Sequence, residues 1–320
     1  MNPILLDLNS YGKYARRSFV ADFIEVTAWR RLVRIAEVAD LLADRDQRLP
    51  LEQFVDLESI EPQDGGAEDS EPARTDRGET QRRAQEDARL VFDIIQQRSR
   101  VLGSLYPYVV DASEVRRSIR TVGGYDVALS LTLRHAVHSD IDVANEFEDY
   151  VTACLTAQRW IVFPLGARIR SMKGAQARKF GRAIAMARKA LSLPARGVGR
   201  VPRKVQDRGA DLLARIPPAD ARTGCRTFIV QATVGSSESW YGKLLETHDS
   251  DWSEYIGDPL RPLVTLAIPY HAEREYLEML VKNGNNRTVW DRLRLVAHNP
   301  PLSDPVFQRA REVLEVGAEW

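Results

Sequence analysis

Between residues 18 and 46, Phe19, Phe23, Val26, Trp29, Val33, Ala36 and Leu41 recur at steps of mostly three and four, with arginines and glutamates between them. That spacing lines one side of a helix, so the run predicts an amphipathic α-helix that needs a packing partner. A second helix is predicted over 80–101, where Ala84, Ala88, Val91, Ile94 and Ile95 share a side. Residues 105–111 read as extended chain, and 125–138 are apolar enough for a buried helix returning against the first two. At residue 140 the pattern changes. Ser139 or Asp140 is placed to cap a helix whose stripe is Val143, Phe147, Tyr150, Val151 and Cys154. Short β-rich runs follow at 210–216, 227–234, 263–270 and about 288–297, separated by helical stretches, notably 175–191. Strands alternating with helices predict an α/β sheet with helices packed on it. The expected division is a mostly helical N-terminal domain, 1–139, and an α/β domain, 140–320.

Composition adds two constraints. At 320 residues the chain suits two domains, and its 44% apolar content is ordinary for a soluble protein. Two cysteines, Cys154 and Cys225, are too few for a disulfide framework or a zinc cluster, which favours a reducing cytoplasm. No stretch reaches the roughly 20 apolar residues that span a bilayer, and the first ten residues lack the order of a signal peptide, so no membrane partner is expected.

Charge matters through its distribution, because 45 basic and 45 acidic residues cancel. Residues 56–79 carry nine acids against two bases, few apolar groups and several glycines and prolines. This predicts a flexible acidic loop at about 56–80, since such a segment cannot bury enough surface to offset ordering entropy. Residues 165–208 hold thirteen bases and one acid, Asp207, a local net of +12. Segregation of that kind is what phosphate binding requires, because each neutralised phosphate releases counterions. Arg178, Lys179, Arg182, Lys189, Arg203 and Lys204 are the candidate nucleic-acid contacts. The alternatives are a solvated helix face or a surface that answers the acidic loop.

Asp207, Arg208, Gly209, Ala210 and Asp211 lead into the first β-run, and Gln231 and Thr233 lie on the next. An acid at one strand edge and a polar pair on its neighbour suit a hard cation such as Mg²⁺, although an aspartate at a strand start is more often a turn residue. Residues 204–243 resemble the core of a group within the PD-(D/E)XK, or restriction-endonuclease-like, nuclease superfamily. The likeness rests on Asp207, Gly209, Asp211, Gln231, Gly235, Trp240 and Lys243, with further matches at 263–270 and 290–294. It extends over roughly 140–300.

The resemblance implies a mixed sheet flanked by helices, with Asp211 as the central metal-ligating acid and Glu146 or Glu148 as the additional carboxylate. Gln231 stands where the superfamily has its second acid. Lys243 is the candidate for a catalytic lysine relocated to the following helix, where it would act on the attacking water or the phosphorane. Trp240 is structural on this reading. Metal ligands would be Asp211, Gln231 and Glu148, holding Mg²⁺ or Mn²⁺. The departures are Thr233 in place of the usual lysine, the uncharged Gln231, and Arg208 in place of a glycine. Asp291, Arg292 and Arg294 are expected on a strand as a salt-bridge set that also reaches phosphate.

Other candidates read as structure. The five histidines show no metal-ligand spacing beyond His135 and His138, and Gly197-Val198-Gly199 lacks the rest of a phosphate loop. Cys225 lies between Arg222 and Arg226 but has no His-Asp arrangement beside it. Two functions therefore compete: a metal-dependent DNA endonuclease or nuclease-like effector of a bacterial defence system, and a non-catalytic nucleic-acid-binding or scaffolding subunit docked on a partner such as an ATPase subunit. A structural subunit serving an acidic protein ranks below both.

Overall fold

The run that begins near Ser18 does not stay one helix. It forms α1 (Arg16–Thr27), turns at Ala28 to Arg31, enters a two-residue strand β1 (Val33–Arg34) and resumes as α2 (Ile35–Ala43). Sheet pairing overrides helical spacing here. Val33 pairs with Val115, Arg34 pairs with Glu114, and the Ile35 amide donates to the Ser113 carbonyl at 2.8 Å. Trp29, expected on the helix, instead lies under the Arg117 guanidinium, 3.6 Å from ring centroid to Cζ.

This is a computed structural model, and it describes residues 16–43, 77–137, 141–173, 176–193, 209–217, 225–258, 260–282 and 286–317. The acidic loop up to residue 76, Arg203, Lys204, Asp207, Arg208 and the Arg178 side chain lie outside what is described.

The predicted second helix is α3 (Arg77–Leu102), followed by a short 3₁₀ turn and the hairpin β2 (Tyr108–Val110) and β3 (Glu114–Arg117). Asp111 makes the hairpin turn by accepting from the Ser113 and Glu114 amides at 2.7 and 2.8 Å. Strand order is β1-β3-β2, all antiparallel. α4 (Gly124–Val137) and α5 (Ile141–Ala157) match the two expected helices in position.

A strand that the sequence reading missed, β4 (Ile161–Pro164), opens the second sheet. It leads through α6 (Leu165–Ser171) and α7 (Gln176–Ala190) to β5 (Leu212–Arg215) and β6 (Thr227–Ala232). Then come α8 (Ser237–Glu246), α9 (Asp249–Ile256), β7 (Leu263–Ala267), α10 (Arg274–Lys282), β8 (Arg287–Trp290), α11 (Arg292–Val296) and α12 (Asp304–Gly317). Strand order is β4-β5-β6-β7-β8; the first three run antiparallel and β6, β7 and β8 run parallel. The class is mixed α/β.

Alternation explains the layers. Leu212, Ala214, Phe228 and Val230 join Val143, Phe147 and Cys154 of α5 in one apolar cluster. Leu213 and Ile229 join Phe180, Ala183 and Ile184 of α7 and Trp252 of α9 in another. The first cluster also contains Ala21, Ile24, Val91 and Ile95, so the core does not divide at residue 139. Burial in it holds the Cys154 thiol neutral, its pKa pushed up to about 12.

The 288–297 run is corrected. The strand ends at Trp290, and Asp291 caps α11 by accepting from the Arg294 amide at 3.1 Å. Arg292 is wholly buried, so it is not a phosphate contact. Its guanidinium bonds both Asp22 oxygens at 2.7 Å and its Nε donates to the Pro269 carbonyl at 2.8 Å. Arg98 is equally buried and reaches Asp22 at 2.7 Å and Glu25 at 2.8 Å. The Tyr125 hydroxyl donates to Glu25 at 2.7 Å, and Tyr106 donates to its other oxygen. Burial alone would raise the Asp22 pKa, but the two guanidiniums outweigh it and hold the carboxyl below its usual range.

Removing one member leaves buried charge uncompensated. Arg292→Leu is expected to lose about 3–5 kcal/mol of stability, read from urea unfolding. Acid sensitivity follows from His271, buried with its Nδ1 3.5 Å from Asp291 Oδ2. Burial lowers its pKa below 6.5, Arg98 and Arg292 act in the same direction, and Asp291 only partly opposes them. The unfolded chain therefore binds this proton at a higher pH than the folded one. Stability should fall as pH drops below about 6.5, and a His271→Asn variant should show a shallower fall in urea midpoint.

Candidate nucleic-acid interface and adjoining acidic site

Asp211 sits one residue before β5, pinned on both sides. Its amide donates to the Val230 carbonyl at 2.9 Å, and its carbonyl accepts from the Gly166 amide at 2.9 Å. Its carboxylate oxygen Oδ2 accepts from the Ala232 amide at 2.8 Å, which ties it to the end of β6. The chain reaches this point through Gly209 at φ +70°, where a Cβ would stand 2.9 Å from Thr247 Oγ1.

Glu148 comes from α5 and is nearly buried; both its oxygens face Arg170 of α6, at 2.8 and 3.3 Å. A Cβ placed on Gly166 would lie 3.1 Å from Arg170 Nη1 and 3.6 Å from Asp211 Oδ1. The guanidinium and the Asp211 carboxylate thus share the space above that glycine. Arg170 lies four residues after Gly166, one helical turn on, which is the only local signal that could have singled it out from its basic neighbours.

Gln231 is buried on β6. Its Nε2 donates to Glu246 Oε2 at 3.1 Å, the same oxygen that Lys243 Nζ approaches at 3.5 Å, while Gln231 Oε1 has no hydrogen-bond partner. Lys243, Glu246 and Gln231 therefore form one chain from α8 to the sheet; Glu246 was not among the expected residues. Thr233 uses its hydroxyl to accept from the Gly235 amide at 3.1 Å. Trp240 is fully buried and donates to the Gly235 carbonyl at 2.8 Å.

Glu146 is not brought to this place. It stands two residues from Glu148 on α5 and faces the other way, pairing with Arg309 of α12 at 3.4 Å in a cleft shared with Ser130 and Asp149.

These residues do not fit a divalent cation. Glu148 is neutralised by Arg170 and Gln231 carries no charge, so the expected trio offers only the single negative charge of Asp211. A fixed guanidinium beside it repels a second cation. Among the described residues no group of three or more His, Cys, Asp or Glu is arranged to hold a metal ion.

Beside this acidic site runs the basic segment. α7 buries Phe180, Ala183, Ile184 and Ala187 against the sheet and turns Arg182 and Lys189 to solvent, with Lys179 half-buried. Among the described residues no ion pair involves Lys179, Arg182 or Lys189. α6 adds exposed Arg168 and links the basic face to Glu148 through Arg170.

Family models, curated proteins and solved structures yield no match to this chain. The site must be read from its own chemistry. No helix among the described residues is long and apolar enough to cross a membrane.

Gly209→Ala should cost about 1–3 kcal/mol in chemical unfolding, because the left-handed backbone and the Thr247 contact both oppose a side chain.

Proposed function

We propose that this chain is a DNA-binding subunit built on a restriction-endonuclease-like sheet, and that it holds nucleic acid without cleaving it. The observation that carries the reading is α7. Its apolar face fixes it to the sheet while Lys179, Arg182 and Lys189 make no ion pair among the described residues, and the helix contains no acid. A rigid row of cations is the electrostatic footprint of phosphate binding.

The element order supports the nuclease lineage. A helix bearing Glu148 precedes three antiparallel strands, and a parallel strand follows after helices. Asp211 immediately precedes β5 and Gln231 lies on its neighbour β6, the relation that the resemblance implies. The non-cleaving reading is supported by two features: Gln231, uncharged, stands where the superfamily has its second acid, and the additional carboxylate, Glu148, is paired with the Arg170 guanidinium. In such a site Arg170 is suited to a phosphate oxygen, as a fixed fork of donors. The setting, a bacterial defence system, is carried over from the resemblance, whereas the cytoplasm is the expectation from two isolated cysteines and a partner such as an ATPase subunit belongs to the non-cleaving reading.

The test uses the full chain and a fluorescent DNA duplex titrated across salt. Replacing Lys179, Arg182 and Lys189 by alanine should weaken binding and reduce the slope of log K against log salt by up to about 3. With Mn²⁺ and supercoiled plasmid, the native chain should leave the plasmid intact. An unchanged slope would place the contact elsewhere. Nicking by the native chain that Asp211→Ala abolishes would overturn the non-cleaving reading and restore the endonuclease.

A further inference from the structure

The N-terminal elements run α1-β1-α2-α3-β2-β3, with β1 and β2 both paired antiparallel to β3. We infer that this unit is a winged-helix-like module, with 33 residues between α2 and α3 in sequence, that reads duplex DNA with the exposed face of α3, a second nucleic-acid surface separate from α7. The connection is topological first. α1 and α2 pack on α3 through Ile24, Val38, Ala39, Ala88, Val91 and Phe92, and the β2–β3 hairpin follows α3 as the wing. Gln81 of α3 also donates to Asp40 of α2 at 3.4 Å, joining the two helices near the start of α3.

The composition of the exposed face is the second observation. Gly78, Arg82, Gln85 and Arg89 fall at i, i+4, i+7 and i+11 along α3, and all are exposed. Arginine and glutamine are the side chains whose paired hydrogen bonds match the major-groove edges of guanine and adenine. A helix presenting them outward, from a pair of helices packed behind it, has the geometry of a recognition helix. On the sheet beside it, Arg34 and Arg116 project from one face and are exposed, Arg34 standing 4.0 Å from Glu37. They are placed for phosphate.

The acids of α3 shape the inference. Glu79 is held by Arg83 at 2.5 Å and Asp87 by Arg17 at 3.7 Å, while Glu86 and Asp93 border the stripe and repel phosphate. Affinity on this surface therefore comes from base edges more than from net charge, and binding through it depends on sequence. That separates it from α7, whose uniform positive charge binds backbone of any sequence.

Enrichment of duplexes from a randomised pool by the full-length native chain, followed by anisotropy titrations, tests the inference. Arg82→Ala with Arg89→Ala should weaken binding of the enriched duplex about tenfold and leave a scrambled duplex nearly unaffected. Arg34→Ala with Arg116→Ala should weaken both duplexes alike. These side chains are exposed, so circular dichroism melting should match the native chain. If no sequence is enriched, or if the Arg82 and Arg89 substitutions leave the affinity for the enriched duplex unchanged, the inference is overturned. Loss confined to the α7 substitutions would also overturn it while leaving the proposed function standing; binding by another protein to α3 with no duplex preference would do the same.

Discussion

Two arginines buried against two acids hold this molecule's elements in one arrangement. Asp22 and Glu25 come from α1, Arg98 from α3 and Arg292 from α11, so the cluster joins points 270 residues apart in sequence. Each charge is fully buried, and none would be tolerable there alone. Formal charge cancels within the cluster, and Tyr106 and Tyr125 supply the remaining donors. Such a network contributes less net stability than apolar packing of the same volume would, because desolvation offsets most of the attraction. Its effect is on register: any shift of α11 relative to α1 strands a charge in the core. β8, which leads into α11, is thereby fixed with respect to the N-terminal helices, and the sheet with it.

The acidic site uses the same pairing at the surface. Glu148 is nearly buried and Arg170 is half exposed, so this pair is screened on one side and open to a ligand on the other. In the central cluster Arg98 and Arg292 are wholly buried against Asp22 and Glu25, whereas Arg170 meets Glu148 with its side chain 45% exposed. That difference in exposure is what the proposed binding role of Arg170 rests on.

Much of this was legible in the sequence, and the failures share a cause. The stripes of α3, α5 and α7 appear at helical spacing because each buries one face, and β5, β6 and β7 stand out as dense apolar runs because both faces are covered. β1 and β4 did not appear, since two and four residues carry too little pattern and owe their conformation to partners at Val115 and at 212–215. Trp290 to Arg294 looked like a charged strand because nothing local says that Arg292 has Asp22 waiting. At the site, Asp211 and Gln231 were legible from strand ends. Arg170 was hidden among twelve other bases, and its bond to Glu148, 22 residues earlier, is a contact that no local pattern shows.

Continuity of the core bears on how two proposed nucleic-acid surfaces would act together. α3 belongs to the cluster that contains Leu212, Val230 and Trp290, while α7 packs on the opposite face of the same sheet. Neither surface hangs from a tether, so the distance between them is set by the sheet and not by a linker. For a ligand long enough to touch both, the second contact forms at an effective concentration fixed by that geometry, and affinity rises without any additional bond. For a ligand too short or too straight, rigid placement forbids the second contact altogether. The buried charge cluster, by locking α1 to α11, is therefore also what would determine which shapes of nucleic acid the chain can hold at two points.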